Sequence, residues 1–492
     1  MRITKIELEN IKTVNHGVVS FRNLPSGGSV TGIYGQNGSG KTALIDAVNY
    51  IDFLISGNEL PDGSSNIIRI GSNSASIAIT VGESGLDKWE YRIVLSRPEE
   101  GSRAVLTSES LKDLTHEKGK RRVLSWTKAS FKDSEPSDQE STSVKISWTP
   151  FKYWKSVERF SMEARKVAGG IEAMAIEGTR SVFFGGSISH LFSLFASYVS
   201  EKKEQGKTVH DAKEAAGKML VFPFCKAGID FVELRKGLRV LPSLASNMPT
   251  MDFIYIPSEL DLDRENGPIF SLDSPSVHSE ERVKELEENI RVLNPVLESL
   301  VPGLTMELRH MGAELLEDGS KGARVDLLSS RDGVKVPLRY ESDGIKKLVS
   351  ILSLLVLAYG DENGCVFIDE LDSGIFEFLL GEILQSIAGG GRGQLVFTAH
   401  NLRPLEILPT QCIVMTTTDA DDRYQRFKGN KATNNLRDQY LRAVLLGGQK
   451  HPVYRPTDRA RIDSAFWKAS NAKEIDSDFD SFLNALKGGV DA

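Results

Sequence analysis

The chain has 492 residues, 40% hydrophobic and 26% charged, enough for two or three domains and a large core. Sixty Lys and Arg against sixty-seven Asp and Glu leave a net charge of −7, which excludes a globally basic nucleic-acid binder and leaves room only for a local patch. No apolar run approaches the roughly 18–20 residues of a membrane helix, and Cys225, Cys365 and Cys412 are odd in number and far apart, as expected of reduced thiols in a soluble, cytoplasmic protein without a membrane partner.

Met1 leads into an alternating segment with no signal peptide, and residues 1–22 read as two strands, Ile3 to Leu8 and Gly17 to Phe21. Ser29 to Tyr34 is a short apolar strand. Gly35-Gln36-Asn37-Gly38-Ser39-Gly40-Lys41-Thr42 follows and matches G-x-x-x-x-G-K-[ST] at every fixed position. A helix then runs from Ala43 to near Ile55. Strand, glycine loop and helix in this order turn backbone N–H groups and a helix N-terminus toward a polyphosphate. Lys41 is expected to reach the β- and γ-phosphates of ATP, and the Thr42 hydroxyl to ligate Mg²⁺. A glycine turn that fits the pattern by accident leaves both flanks unexplained.

Residues 75–150 are strand-like at Ser76 to Val81, Trp89 to Leu95 and Val144 to Trp148, with a polar loop at Asp133 to Ser143. From about 151 to 250 the pattern turns helical, interrupted at Gly169-Gly170 and Gly185-Gly186. Phe253 to Pro257 returns to strand. Glu280 to Leu300 is an amphipathic helix with Val283, Leu286, Ile290, Leu293 and Val296-Leu297 on one face. Leu304 to Leu338 reads as three short strands around turns at Asp318-Gly319 and Asp332-Gly333. Ser342 is a good N-cap for an apolar helix running through Leu348 to Leu357, and this serine and Gly344 at a helix N-terminus make a second phosphate site.

Cys365-Val366-Phe367-Ile368 is a wholly apolar strand ending in Asp369-Glu370, a Walker B pattern more than 300 residues after the loop. Asp369 is placed to hold Mg²⁺ and Glu370 to orient the attacking water. Alone, this is a strand with an acidic end; beside a complete phosphate loop it is the second half of a nucleotide site. Gln394 to Ala399 is another apolar strand, and His400 at its end is placed to donate to a γ-phosphate, although a lone histidine is more often structural. One γ-phosphate does not need two sites in one chain, so Ser342-Asp343-Gly344 is expected to close over the nucleotide of a second subunit.

This order of motifs, with Asp372-Ser373-Gly374 after Walker B, resembles the ABC-type ATPase head, and within it the SMC, RecF and OLD branch. Ile6-Glu7-Leu8-Glu9-Asn10-Ile11-Lys12 is similar to that branch's first strand and Asn-Phe-Lys turn, with Ile11 in place of the aromatic. Ile67-Ile68-Arg69-Ile70-Gly71-Ser72 resembles its arginine loop. Ser342-Asp343-Gly344 departs from the transporter signature and is similar to the reduced form of OLD-like AAA-domain ATPases, whose tail Asn434 to Leu441 also resembles. The resemblance implies an α/β P-loop NTPase of ABC/SMC-head type, with ATP and Mg²⁺ as cofactors. It places Lys12, Gly35, Asn37, Gly38, Ser39, Gly40, Lys41, Thr42 and Arg69 at ATP, Thr42 and Asp369 at the metal, and Glu370 and His400 in catalysis.

The expected division is 1–150 as the first half of the head with an N-terminal β lobe, 151–250 as a helical insertion, 251–430 as the second half, and 431–492 as an extension. A short, Gly-interrupted insertion excludes a long coiled-coil arm, and about sixty residues after the head are too few for a TOPRIM nuclease domain. Asp419-Ala420-Asp421-Asp422 reads as a solvated turn. By resemblance, the chain is the sensor or scaffold ATPase of a bacterial anti-phage system such as PARIS or Septu, a homodimer or higher oligomer through its ATP sites that controls a separate nuclease or toxin, with DNA or a phage protein as trigger. The alternatives are a RecF-like DNA repair or maintenance ATPase, for which Lys346-Lys347, Lys202-Lys203 and Lys120-Arg121-Arg122 would supply a basic patch, a slowly hydrolysing scaffold that holds a toxin, and, fitting worst, a transporter subunit.

Overall fold

A computed structural model describes residues 1–83, 85–98, 102–116, 123–132, 142–149, 162–185, 221–242, 253–255, 269–316, 318–426, 436–446, 450–455 and 457–470. The chain opens with β1 (Arg2–Ile11), β2 (Val14–Ser20) and β3 (Ser29–Tyr34), and the helix Lys41–Ile55 follows. Next come β4 (Ser74–Glu83), β5 (Leu86–Ser96), β6 (Val105–Asp113), β7 (Val123–Lys132) and β8 (Thr142–Thr149). The helices Met162–Glu177 and Val221–Gly237 precede β9 (Leu238–Leu241), β10 (Phe253–Tyr255), β11 (Ile269–Ser271) and β12 (Ser276–Ser279). Helix Glu280–Leu300 leads to β13 (Leu304–Leu315), β14 (Lys321–Arg331) and β15 (Val334–Pro337), then helix Asp343–Gly360. β16 (Cys365–Ile368), helix Glu377–Gly390, β17 (Gln394–Thr398), β18 (Ile413–Thr416) and β19 (Tyr424–Gln425) follow, then helices Leu436–Leu446 and Arg459–Ser470.

Two sheets carry the architecture. A seven-stranded antiparallel sheet runs β2-β1-β4-β5-β6-β7-β8 and forms an N-terminal β lobe. A six-stranded sheet runs β19-β18-β3-β17-β16-β9, parallel except at β19, and this is the α/β core of a P-loop NTPase fold. Its strands are apolar throughout because both faces are covered. Ile33, Phe367, Val396 and Val414 point into the core shared with the β lobe and helix Lys41–Ile55. Tyr34, Val366, Ile368, Leu395, Phe397 and Ile413 point into the opposite core, where the faces of helices Glu280–Leu300, Asp343–Gly360 and Glu377–Gly390 pack.

Helix Glu280–Leu300 matches its expected bounds, with Ser279 accepting from the Arg282 N–H and Glu280 and Glu281 in its positive first turn. Its buried face is Val283, Leu286, Ile290, Leu293 and Leu297. The two strands after it are not short: β13 and β14 span twelve and eleven residues. In the β lobe, the buried Glu109 carboxylate accepts from Tyr91 Oη at 2.6 Å, Trp126 Nε1 at 2.9 Å and the Val182 N–H at 2.8 Å, fastening the segment after helix Met162–Glu177 to the lobe.

Among the described residues of 151–250, the helical reading with glycine interruptions is altered at two places. Gly169 and Gly170 lie inside helix Met162–Glu177 and do not interrupt it. Each glycine costs that helix about 1 kcal/mol, and the buried Ile171 and Ala175 packed into the shared core hold it. Gly185 does sit in a turn. β9 falls in the same stretch, yet it is the edge strand of the parallel sheet, paired with β16 from Leu238 opposite Cys365 to Leu241 opposite Ile368. The Asp419–Asp422 turn is docked against the β lobe, with Asn15 and His16 N–H groups donating to Ala420 O at 2.9 and 2.8 Å. Cys365 and Cys412 are buried and free. Among the described residues no helix is long and apolar enough to cross a membrane. Lys120-Arg121-Arg122, residues 133–141, Gly186, Lys202-Lys203, Ile256-Pro257 and Asn434-Asn435 lie outside the described residues.

Candidate nucleotide site

The site forms where the parallel strands end. β3 lies between β17 and β18, with β16 beyond β17, so the loop after β3, Asp369-Glu370 after β16 and His400 after β17 all emerge on one edge. Gly35 must lack a side chain: a Cβ there would sit 1.7 Å from Thr416 Oγ1. The helix Lys41–Ile55 starts at Gly40 with no side-chain cap, leaving its first N–H groups to the cavity in front.

A cavity of about 280 Å³ is lined by Lys12, Asn37, Gly38, Gly40, Lys41 and Thr42 from one side and by Asp369, Glu370, Thr398 and His400 from the other. Lys41 Nζ donates to Gly35 O at 2.8 Å and Gln36 O at 3.3 Å, folded back on its own loop. Burial lowers the pKa of this ammonium, and the fields of Asp369, Glu370 and Asp372 oppose the shift. Lys12 pairs with Asp46 of helix Lys41–Ile55 and has a left-handed backbone with φ 48°.

Asp369 is 1% exposed. Its Oδ1 accepts the Thr398 hydroxyl, and its Oδ2 has no hydrogen-bond partner. Such an orphaned carboxylate oxygen, in a cavity that Thr42 also lines, fits a hard divalent cation that takes oxygen ligands. Glu370 is exposed, and its backbone is left-handed with φ 49°. Its N–H donates to Thr398 Oγ1 at 2.8 Å, so one hydroxyl orders both carboxylate residues. Asp372 Oδ2 accepts from the His400 and Asn401 N–H groups at 2.8 and 2.7 Å, tying the turn after Walker B to the histidine loop.

The remaining expected residues stand apart from this cavity. Ser39 sits at the base of the loop, its hydroxyl on Gln36 O. Arg69 Nη1 donates to Thr13 O at 3.1 Å, which places it at the rim beyond Lys12. Ser342, Asp343 and Gly344 do not line the cavity. Ser342 caps its helix through the Ile345 N–H at 3.4 Å, and Asp343 is exposed. Gly344 lies so close to the Asp372–Gly374 turn that a Cβ would meet Gly374 O at 2.3 Å. The next turn brings in Lys347, a buried cation whose pKa is lowered by burial against the fields of Asp369, Glu370 and Asp372.

Thr398, Asp372 and Asp46 were not singled out for these roles from sequence. For Thr398 a signal existed: aligning the two apolar strands from Cys365 and Gln394, in the register that runs to Ile368 opposite Phe397, brings Thr398 level with Asp369, to which its hydroxyl donates.

Residues 5–207 match the family model of an AAA domain. No curated protein matches the chain. Among similar solved structures is an Smc head bound to the C-winged helix domain of ScpA, 13% identical, covering 87% of this chain and 98% of that one, with a TM-score of 0.40. An Smc head with an extended coiled coil bound to the C-terminal domain of ScpA from Pyrococcus furiosus is 13% identical, covering 87% and 96%, at a TM-score of 0.35. The SMC head domain from Thermotoga maritima is 12% identical, covering 87% and 100%, at a TM-score of 0.34.

Proposed function

We propose that the chain binds and hydrolyses ATP with Mg²⁺ in the cavity between the phosphate loop and Asp369-Glu370. The observation that carries this reading is the buried, unpartnered Asp369 Oδ2 in the same cavity as the Thr42 hydroxyl and Lys41. Thr42 and Asp369 would hold Mg²⁺, which supplies positive charge to the phosphate oxygens when bound. Lys41 turns from the Gly35 and Gln36 carbonyls to the β- and γ-phosphates, while the loop N–H groups and the uncapped helix start cradle them. Glu370 orients the attacking water and accepts its proton as the β–γ bridging bond breaks. His400 donates to the γ-phosphate, and Asp372 positions its loop.

Two copies are proposed to face each other, each offering Ser342-Asp343-Gly344 to the other's nucleotide. In support, this capped helix start lies off its own chain's cavity yet rests on the Asp372–Gly374 turn, which is fastened to the histidine loop. Nucleotide state would then set interface geometry. The finer reading, a sensor or scaffold subunit of an anti-phage system that controls a separate nuclease or toxin, is supported by the similarity of Ser342-Asp343-Gly344 to the reduced signature of OLD-like ATPases.

The test is ATP binding, turnover and assembly mass of wild type, Lys41→Ala and Glu370→Gln. Lys41→Ala should lose binding; Glu370→Gln should bind ATP, cease turnover and accumulate the closed assembly. Normal hydrolysis by Glu370→Gln refutes the assignment. Duplex DNA binding with a steep salt dependence, in place of effector control, would replace the defence reading with DNA maintenance.

A further inference from the structure

A second cavity of about 280 Å³ adjoins the phosphate loop, walled by Gln36, Asn37, Gly38, Ser39, Thr418, Arg423 and Arg455. It shares Asn37 and Gly38 with the first cavity. Among the described residues no acidic side chain lines it. Arg423 is 6% exposed, and among the described residues no carboxylate pairs with it. Its Nη1 and Nη2 donate to the Thr417 and Thr13 carbonyls, both at 2.6 Å, and its Nε has no partner. A buried guanidinium whose hydrogen bonds all go to neutral carbonyls is costly to keep charged, and an anion completing the site would offset that cost.

Two more cations lie near Arg423. Arg69 reaches the same Thr13 carbonyl, and Arg455 stands on the cavity wall. Burial lowers the Arg423 pKa, and Arg69 and Arg455 push the same way, against Tyr424 and Asp419. Asp419 is the nearby acid, and it is engaged by His451 Nδ1 at 2.7 Å.

The segment bearing Arg455 is fastened along its length. Thr418 N–H donates to Pro452 O at 2.7 Å, Val453 is 2% exposed, and the Arg455 N–H donates to Gln36 Oε1 at 3.0 Å. Residues 450–455 therefore strap the C-terminal region onto the phosphate loop itself.

We propose that Arg423 and Arg455 form an anion subsite beside the phosphate loop that takes a phosphate group, and that the 450–455 strap holds it in place. This deepens the nucleotide-site reading and rests on it for the identity of the anion. The phosphate comes either from the bound nucleotide or from free inorganic phosphate, and the two are separable by titration.

The full chain is titrated calorimetrically with Mg-ATP and, separately, with inorganic phosphate, using wild type, Arg455→Ala, Arg455→Lys, Arg423→Lys and Lys41→Ala. Arg455 is exposed, so its variants should melt like wild type; Arg423→Lys is the more conservative change at the buried position. Loss of one charged hydrogen bond should weaken binding about tenfold or more, with Arg455→Lys recovering part of it. Weakening toward ATP assigns the nucleotide's own phosphate; weakening toward inorganic phosphate alone assigns the free anion. ATP binding that Lys41→Ala abolishes while the Arg455 and Arg423 variants leave both titrations unchanged overturns this inference and spares the proposed function. Absence of ATP binding in wild type sinks the proposed function, and the inorganic phosphate titration still decides this one.

Discussion

Replacing Thr398 with Val isolates the hydroxyl that orders the two carboxylate residues. Thr398 is fully buried, and valine fills nearly the same volume, so no cavity opens. Two hydrogen bonds disappear: the one donated to Asp369 Oδ1 and the one accepted from the Glu370 N–H at 2.8 Å. A bond to a charged acceptor contributes about 1.5–3 kcal/mol and a neutral one about 1 kcal/mol, so the loss should be about 2.5–4 kcal/mol. Both Asp369 oxygens are then left without a hydrogen-bond donor, since Oδ2 already has none. Thermal unfolding of Thr398→Val in EDTA should start several degrees below wild type. Mg-ATP should narrow the gap, because a cation on Asp369 offsets part of the missing interaction. Thr398→Ser keeps the hydroxyl and should recover most of the stability. Turnover should fall with Thr398→Val because Glu370, held in a left-handed backbone, loses its tether. A Thr398→Val protein that melts and hydrolyses ATP like wild type refutes the assignment of this hydroxyl.

Two other changes test separate parts of the molecule. Gly344→Ala puts a Cβ 2.3 Å from Gly374 O, about 1 Å inside ordinary contact, so the helix start must retreat; overpacking of this kind costs about 1–3 kcal/mol. In a Glu370→Gln background it should abolish ATP-dependent assembly by light scattering while leaving ATP binding intact, and an undiminished assembly would contradict the proposed seam. His278 is held at about 4 from its ordinary 6.5 by burial, with Arg282 adding to it. Between those values the unfolded chain binds a proton that the folded chain refuses, so this stability is complete above about pH 6.5 and fades as pH falls toward 4. His278→Gln should flatten the melting temperature over that window; an unchanged slope would show that His278 is not the group responsible.

The phosphate loop, the Walker B strand and the helix Glu280–Leu300 were legible in the sequence because each is contiguous. Gly35 to Thr42 carries its own backbone chemistry, Cys365 to Ile368 is apolar because both its faces are buried, and Val283 to Leu297 repeats at the helical period. β9 was not legible. Four residues after a helix carry no period of their own, and Leu238–Leu241 is a strand because β16 offers it a free edge. Likewise Gly169-Gly170 read as a break, and burial of Ile171 and Ala175 kept the helix whole.

By itself the sequence determined the chemistry of the candidate nucleotide site: which residues carry the N–H groups, the ammonium, the hydroxyl and the two carboxylates. Only the tertiary structure decided what surrounds them. Thr398 reaches Asp369 through a parallel register, Asp372 reaches the histidine loop across a gap of 28 residues, the 450–455 strap reaches the phosphate loop and Arg423 reaches the Thr13 carbonyl from some 400 residues away. Short-range chemistry is encoded in neighbouring residues, whereas these contacts arise from strand order and from the cost of leaving buried polar groups unpaired, which act only once the chain is folded.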